Sequence, residues 1–408
     1  MNQHNARRSH GVPRRRPKKR RTIMMTRRQA ASAAFQAVSA AGILPAQVST
    51  PNELWVNPAA GADAGSGTRA SPLRTLAEAV RRVNRSTGDG SMTIVLTEGV
   101  HVIQETTTLK PERRSFTRAA RLTIRAEVLP DDADWNIGRM PALIHAMPLP
   151  PTWNGRPDPL GGAANGMLVE TSHVSVQGLK ILGLPVVETP KPGMKRRLYA
   201  IARLDRKLED LEVAQCLFAG DEIVAPNHVG IIAQGDGLVV HHCLFRGFMK
   251  DAVVYWTPGS TGHAMRNCFF HGMYGSTIWT AGVAGDLDYR NNIADSARYV
   301  WIYQAGAAAQ SDAGGGRARL PAESPQERTH YQVVDSLFAH NTRLAGTGTG
   351  ARIEFADIDP SFLELSGARV IEQAVMVELD ETKRSYLHPV AGSEAAKIGA
   401  GLFMKAGA

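Results

Sequence analysis

The segment Leu211-Glu212-Val213-Ala214-Gln215-Cys216-Leu217-Phe218 recurs in altered form as Leu238-Val239-Val240-His241-His242-Cys243-Leu244-Phe245. His263-Ala264-Met265-Arg266-Asn267-Cys268-Phe269-Phe270 comes next, then Leu287-Asp288-Tyr289-Arg290-Asn291-Asn292-Ile293-Ala294, then Tyr331-Gln332-Val333-Val334-Asp335-Ser336-Leu337-Phe338. The earlier stretch Val174-Ser175-Val176-Gln177-Gly178-Leu179 has the same character. Spacings between the aligned Cys216, Cys243, Cys268, Asn292 and Ser336 are 27, 25, 24 and 44 residues. Apolar and polar residues alternate at period two, which excludes helical repeats. A period in the mid-twenties with Gly- and Asn-rich turns indicates an all-β solenoid. One coil cannot bury its own inner face, but coils stacked at about 4.8 Å bury it continuously. Phe218, Phe245, Phe270 and Phe338 are therefore expected in one interior stack, interrupted by Ala294. The three cysteines read as small buried groups of an inward turn ladder. The alternatives are a Cys₃ metal site and adjacent-coil disulfides.

Charge is unevenly placed. The chain has 408 residues and a formal charge of +9. Eleven Lys/Arg lie within residues 1–28, and no Asp or Glu precedes Glu53. Removing those eleven from 47 leaves 36 basic groups against 38 acidic ones, so the body is close to neutral. That argues against a nucleic-acid partner. Three cysteines do not make a disulfide scaffold, and no apolar run reaches the roughly 18 residues of a membrane span. Residues 1–50 read as a basic leader and export signal. Thr26-Arg27-Arg28-Gln29 precedes the uncharged run Ala30 to Leu44, which resembles a twin-arginine signal. Export machinery is then a partner, and the mature chain is periplasmic or extracellular.

The periodicity and the asparagine-type turn resemble the right-handed parallel β-helix of the pectate-lyase-like superfamily. Two end segments carry the same resemblance. Leu54-Trp55-Val56-Asn57-Pro58, then Gly61, Asp63, Gly65, Gly67 and Thr68, then Ser71-Pro72-Leu73-Arg74-Thr75-Leu76 and Ala79 resemble the cap of exported bacterial β-helix proteins. The cap implies a short amphipathic helix plugging the open end before the strand Met92 to Leu96. Pro389-Val390-Ala391-Gly392-Ser393 with Gly399 resembles a closing segment, with Glu394 where proline is common. The expected layout is a β-helix over 52–398, with its cap at 52–100, its clearest coils at 170–345 and its last coils and closing segment at 346–398. A tail follows at 399–408. The polygalacturonase motifs and the Arg-rich motif of the main pectate lyase family are absent. The resemblance implies a carbohydrate-active protein without fixing a reaction.

Candidate chemistry follows from stacking. The position three residues after the ladder holds Ala219, Arg246, His271, Asp295 and Ala339. Arg246, His271 and Asp295 are expected in one outward column, about 5 Å from neighbour to neighbour. A cation, an imidazole and a carboxylate in line can bind a uronate, abstract its C5 proton and orient the base. The plainer reading is a surface charge ladder. Lys250 and Asp251 join the catalytic candidates, with Lys250 a second candidate base. Asp221 and Glu222 are candidate ligands for Ca²⁺. Paired carboxylates instead suit a glycoside hydrolase. Trp256, Trp279, Trp301 and Tyr303, with Tyr255, recur in successive coils and suit an outward platform for sugar faces. They suit the interior equally if the strand register slips by one. Leu184 to Arg197 and Ala305 to Glu327 read as rim loops, and Asp131 to Asn165 as a cover over one side. The reading is a polysaccharide lyase acting on uronic-acid glycans. A glycosidase or a non-catalytic carbohydrate-binding module is the alternative.

Overall fold

The computed structural model describes residues 52–150, 152–153, 156–157, 164–185, 198–221, 227–247, 249–305, 328–348 and 355–405. The leader, Glu222 and most of both insertions lie outside the described residues. Three long sheets form a right-handed parallel β-helix. The first runs from Glu53–Val56 to Leu363–Ser366, the second from Val100–Ile103 to Arg369–Ile371, and the third from Thr107–Leu109 to Arg343–Gly348. The chain visits them in that order, and neighbouring coils pair in parallel. Among the described residues of these three sheets, Phe355–Asp357 alone adds antiparallel, on the rim of the third.

Register explains the repeat. Val176, Val213, Val240, Met265 and Tyr289 stack as neighbours on the inner face of the first sheet. At the corner into the second sheet a single residue turns the chain, with φ between 44° and 75° at Gly178, Gln215, His242, Asn267, Asn291, Asp335 and Gly367. Asparagine and glycine tolerate this left-handed conformation best. The turn position is thus one residue before the ladder, not at it. Cys216, Cys243, Cys268, Asn292 and Ser336 follow it, all fully buried. The thiols are free, and Cys216 Sγ donates to the Ala214 carbonyl at 3.2 Å. Asn292 accepts from Cys268 N at 2.9 Å and donates to the Met265 carbonyl at 2.9 Å, stitching one coil to the one before.

Inside, Phe218 stacks on Phe245 at 4.7 Å and Phe245 on Phe270 at 5.0 Å. Ala294 breaks the stack. The room it leaves in its coil is taken by the buried Tyr289 and Trp301, whose rings lie 5.3 Å apart. Helix Leu76–Arg85 buries Leu76, Ala79, Val80 and Val83 against the first coils. Thr75 caps it by accepting from Glu78 N. No helix among the described residues is long and apolar enough to cross a membrane.

The last coil strand is Arg369–Ile371, and residues 372–405 then run back along the outside. Leu387, Ala395, Ala400 and Leu402 cover the outer apolar column of the second sheet, Leu217, Leu244, Phe269, Ile293 and Leu337. Gly401 N donates to the Asn267 carbonyl at 2.9 Å, and Gln215 Nε2 to the Leu402 carbonyl at 2.9 Å. Nothing breaks at 398. Trp135, in the irregular stretch after Asp131, meets Phe403 of this strap edge to face at 5.4 Å. Trp135 and Met140 of that stretch pack with the strap, while Ala142–His145 is a coil strand of the second sheet.

Candidate functional site

The second sheet places Arg246, His271 and Asp295 as direct neighbours in one outward column, with Ala219 and Ala339 at its ends. The three side chains differ in environment. Asp295 is outward but has no exposed surface, because the returning C-terminal segment lies against it. Its Oδ1 accepts from Val375 N and Ser296 Oγ, each at 3.2 Å. Its Oδ2 lies 2.7 Å from His271 Nδ1. That oxygen is an acceptor, so Nδ1 carries the proton and the lone pair is on Nε2. The His271 side chain is 39% exposed, enough for a ligand to reach that nitrogen. Arg246 is half-buried on the neighbouring coil. The arrangement is an oriented imidazole beside a guanidinium.

Lys250 and Asp251 lie beyond the turn, at the start of a third-sheet strand. Asp251 is buried and accepts from Ser276 N at 3.1 Å, Ser276 Oγ at 2.7 Å and Lys250 Nζ at 3.1 Å. The ammonium also stands 5.2 Å from the Trp279 ring and 4.9 Å from the Phe355 ring. A carboxylate and two ring faces thus surround the ammonium. This pair and the His271 pair form two constellations on either side of one turn.

The aromatic platform is overturned. Trp301 and Tyr303 lie in the core, with Tyr255. Trp301 Nε1 donates to Thr280 Oγ1 at 2.9 Å inside the solenoid. Trp279 does face outward, but it is 4% exposed beneath Trp256 and Phe355, with ring centroids at 5.4 Å and 5.7 Å. Trp256 alone of the four is half-exposed. The cause is a break in alternation. Ala252 and Val253 both point inward, as do Val300 and Trp301 in the corresponding strand, so everything after them changes face. Asp221 is exposed, and its proposed partner Glu222 lies outside the described residues. Among the described residues no three His, Cys, Asp or Glu side chains converge on a metal position.

A further polar group escaped the sequence reading. On the outer face of the first sheet, Arg121 pairs with both Asp210 and Glu212. His173 Nδ1 lies 2.9 Å from Asp210 Oδ2, Ser175 Oγ donates to Glu212 Oε2 at 2.9 Å, and His241 Nε2 lies 3.3 Å from Glu212 Oε1. The hydrogen bond from His241, opposed by burial and helped by Ser175 and Arg121, holds the Glu212 carboxyl down to about 2. Burial, with the neighbouring His241, pushes His242 down to about 4. The signal lies before the ladder: Ser175–Glu212 and Gln177–Ala214–His241–Arg266–Arg290 are outward columns of the repeat strands themselves. Glu212, held low by its partners, is not the raised carboxyl that serves as general acid in glycoside hydrolysis.

Three solved structures resemble the chain in its path. GH136 lacto-N-biosidase from Eubacterium ramulus shares 11% identity at a TM-score of 0.40, covering 71% of this chain and 51% of that one. The present chain thus spans about half the length of that biosidase. A rhamnogalacturonan lyase shares 12% identity at 0.38, covering 86% and 99%. Pectin methylesterase PemA from Erwinia chrysanthemi shares 10% at 0.41, covering 85% and 96%. No protein-family model matches the chain, and no curated protein matches it.

Proposed function

We propose that this β-helix protein acts on polysaccharide, with His271 as proton acceptor, Asp295 as the group that orients it and Arg246 as the group that binds an acidic sugar. One observation carries the reading: an exposed imidazole holds its Nδ1 2.7 Å from a carboxylate that is itself fully buried. An exposed charge ladder does not need such a carboxylate, and a general base does. The reaction this chemistry suits is β-elimination on a uronic-acid glycan. Arg246 neutralises the carboxylate and so acidifies C5–H. Nε2 takes that proton, the C4–O4 bond breaks with its electron pair leaving on O4, O4 is protonated by water or by the imidazolium just formed, and a C4=C5 double bond remains. Lys250 and Asp251 support the adjoining turn in this reading. Ca²⁺ at Asp221 and Glu222 would add a second contact for acidic sugar. The glycosidase alternative would need a raised carboxyl, whereas Glu212 is held low, and the binding-module alternative keeps only Trp256 of its four aromatic residues half-exposed.

The test is a screen of polyuronates with and without Ca²⁺, reading unsaturated product by ultraviolet absorbance. Product from at least one polymer is expected, and none from any polymer refutes the lyase reading. We also propose that the leader directs export. Lysines in place of Arg27 and Arg28 should block translocation; normal export would refute a twin-arginine route.

A further inference from the structure

We infer that the returning C-terminal segment is a positioning element of the candidate site, acting through the backbone N–H of Val375. The inference rests on the His271–Asp295 reading and deepens it. A buried carboxylate left short of a partner is destabilised, so the donors around Asp295 decide how its oxygens point. His271 satisfies Oδ2. At Oδ1 the two donors are unequal. The Ser296 hydroxyl can turn, and it also lies 3.2 Å from His340 Nδ1. The Val375 amide cannot turn, because its hydrogen is fixed by the backbone. It comes from 80 residues further along the chain.

The segment is itself held firmly. It buries Leu387, Ala395 and Leu402 on the second sheet, it bonds Asn267 and Gln215, and Met404 N donates to Asp131 Oδ1 at 3.0 Å. The docking of a whole apolar strip thus fixes one N–H against one carboxylate oxygen. Without that N–H, Oδ1 keeps only a hydroxyl that has another partner. The carboxylate can then rotate about its terminal torsion, which is broad, and Oδ2 leaves the line to Nδ1. The coils alone build the column; the docked strap completes the pair within it.

The test replaces Val375 in the full chain. Val375→Pro removes the N–H, and Val375→Ala keeps it. In the wild type and in Val375→Ala, the His271 Nδ1 proton should give an exchange-protected nuclear magnetic resonance signal. Val375→Pro should lose that signal. It should also lower kcat roughly tenfold with KM unchanged, the size of effect seen when a group orienting a functional histidine is lost. A Val375→Pro protein with the signal intact overturns the inference. If that variant does not fold, Asp295→Asn reads the same link from the other end: the Val375 amide resonance must shift, and an unshifted resonance overturns it. A wild type inactive on every glycan, with the signal still lost in Val375→Pro, would refute the reaction and leave the positioning role standing.

Discussion

On the first sheet, stacked coils set Arg121 against Asp210 and Glu212, with His173 and His241 closing the two ends. On the second sheet, the same stacking sets Arg246, His271 and Asp295 in line. Both groups come from outward positions of the same coils, and both mix cations, imidazoles and carboxylates. They differ in how their hydrogen bonds end. The carboxylates of the first group face a guanidinium and imidazoles, and the network closes on itself. In the second, the imidazole is bonded through Nδ1, no partner for Nε2 is seen among the described residues, and the side chain is 39% exposed. A closed network holds coils together, whereas an oriented group with one face left over can act on a ligand.

The comparison breaks most directly at His271. His271→Ala should reduce turnover on a responsive polymer by about 10²–10⁴-fold, the usual contribution of a general base. The variant also leaves Asp295 Oδ2 without its partner, so turnover is compared per folded molecule, with the melting temperature measured alongside. Unchanged turnover would put this column in the same class as the first-sheet network.

Arg121→Ala tests the other side. It leaves Asp210, whose side chain is 5% exposed, without its guanidinium. Removing one partner of a buried pair costs about 3–5 kcal/mol, and the 21% exposure of Arg121 reduces that to roughly 2–3 kcal/mol here. Thermal unfolding should show the loss, while turnover per folded molecule should not change. A drop in turnover at an unchanged melting temperature would move the site to the first sheet.

Acid should weaken the first-sheet network in two stages. His242 falls from 6.5 to about 4 and Glu212 from 4.5 to about 2 on folding. Both folded values lie below the unfolded ones, so the unfolded chain binds more protons in each interval. The stability these groups contribute is therefore fully present above pH 6.5. His242 loses its share as the pH falls to about 4, and Glu212 loses its share between about 4.5 and 2. Melting temperatures from pH 8 to 2 should decline through both windows. Glu212→Gln should flatten the lower one, though only in part, since the Glu212 side chain is a third exposed and solvent screens it.

How much of this could be read beforehand follows from where information sits in the chain. The ladder of Cys216, Cys243 and Cys268 and the Phe218–Phe245–Phe270 stack were legible because each repeats at a fixed offset from its neighbour. The column of Arg246, His271 and Asp295 was legible for the same reason. The face of Trp301 was not. Counting by twos fails where Val300 and Trp301 both turn inward, and no residue type marks that bend. The cover over Asp295 was not legible either. Val375 lies 80 residues away, and Leu402 bonds Gln215 across 187, distances at which only the folded chain shows a contact.

The third sheet supplies an intermediate case, and the smallest predicted effect. Its outer face is closed neither by its own charges nor by the C-terminal strap. The strand Phe355–Asp357 closes it, held by Arg343 Nε and Tyr299 Oη, each donating to Asp357 at 2.7 Å. Phe355 packs on Trp279 and Tyr299 and lies over the ammonium of Lys250. Phe355→Ala should remove two edge-on ring contacts and two cation–π contacts, from Lys250 and Arg298, for about 1–2 kcal/mol. It should also wet Trp279 and shift tryptophan emission to the red. Added affinity for neutral oligosaccharides in this variant would show that the aromatic surface is a binding face held shut. A red shift without added affinity would make it packing, and would leave the His271 column as the face of the solenoid that meets a ligand.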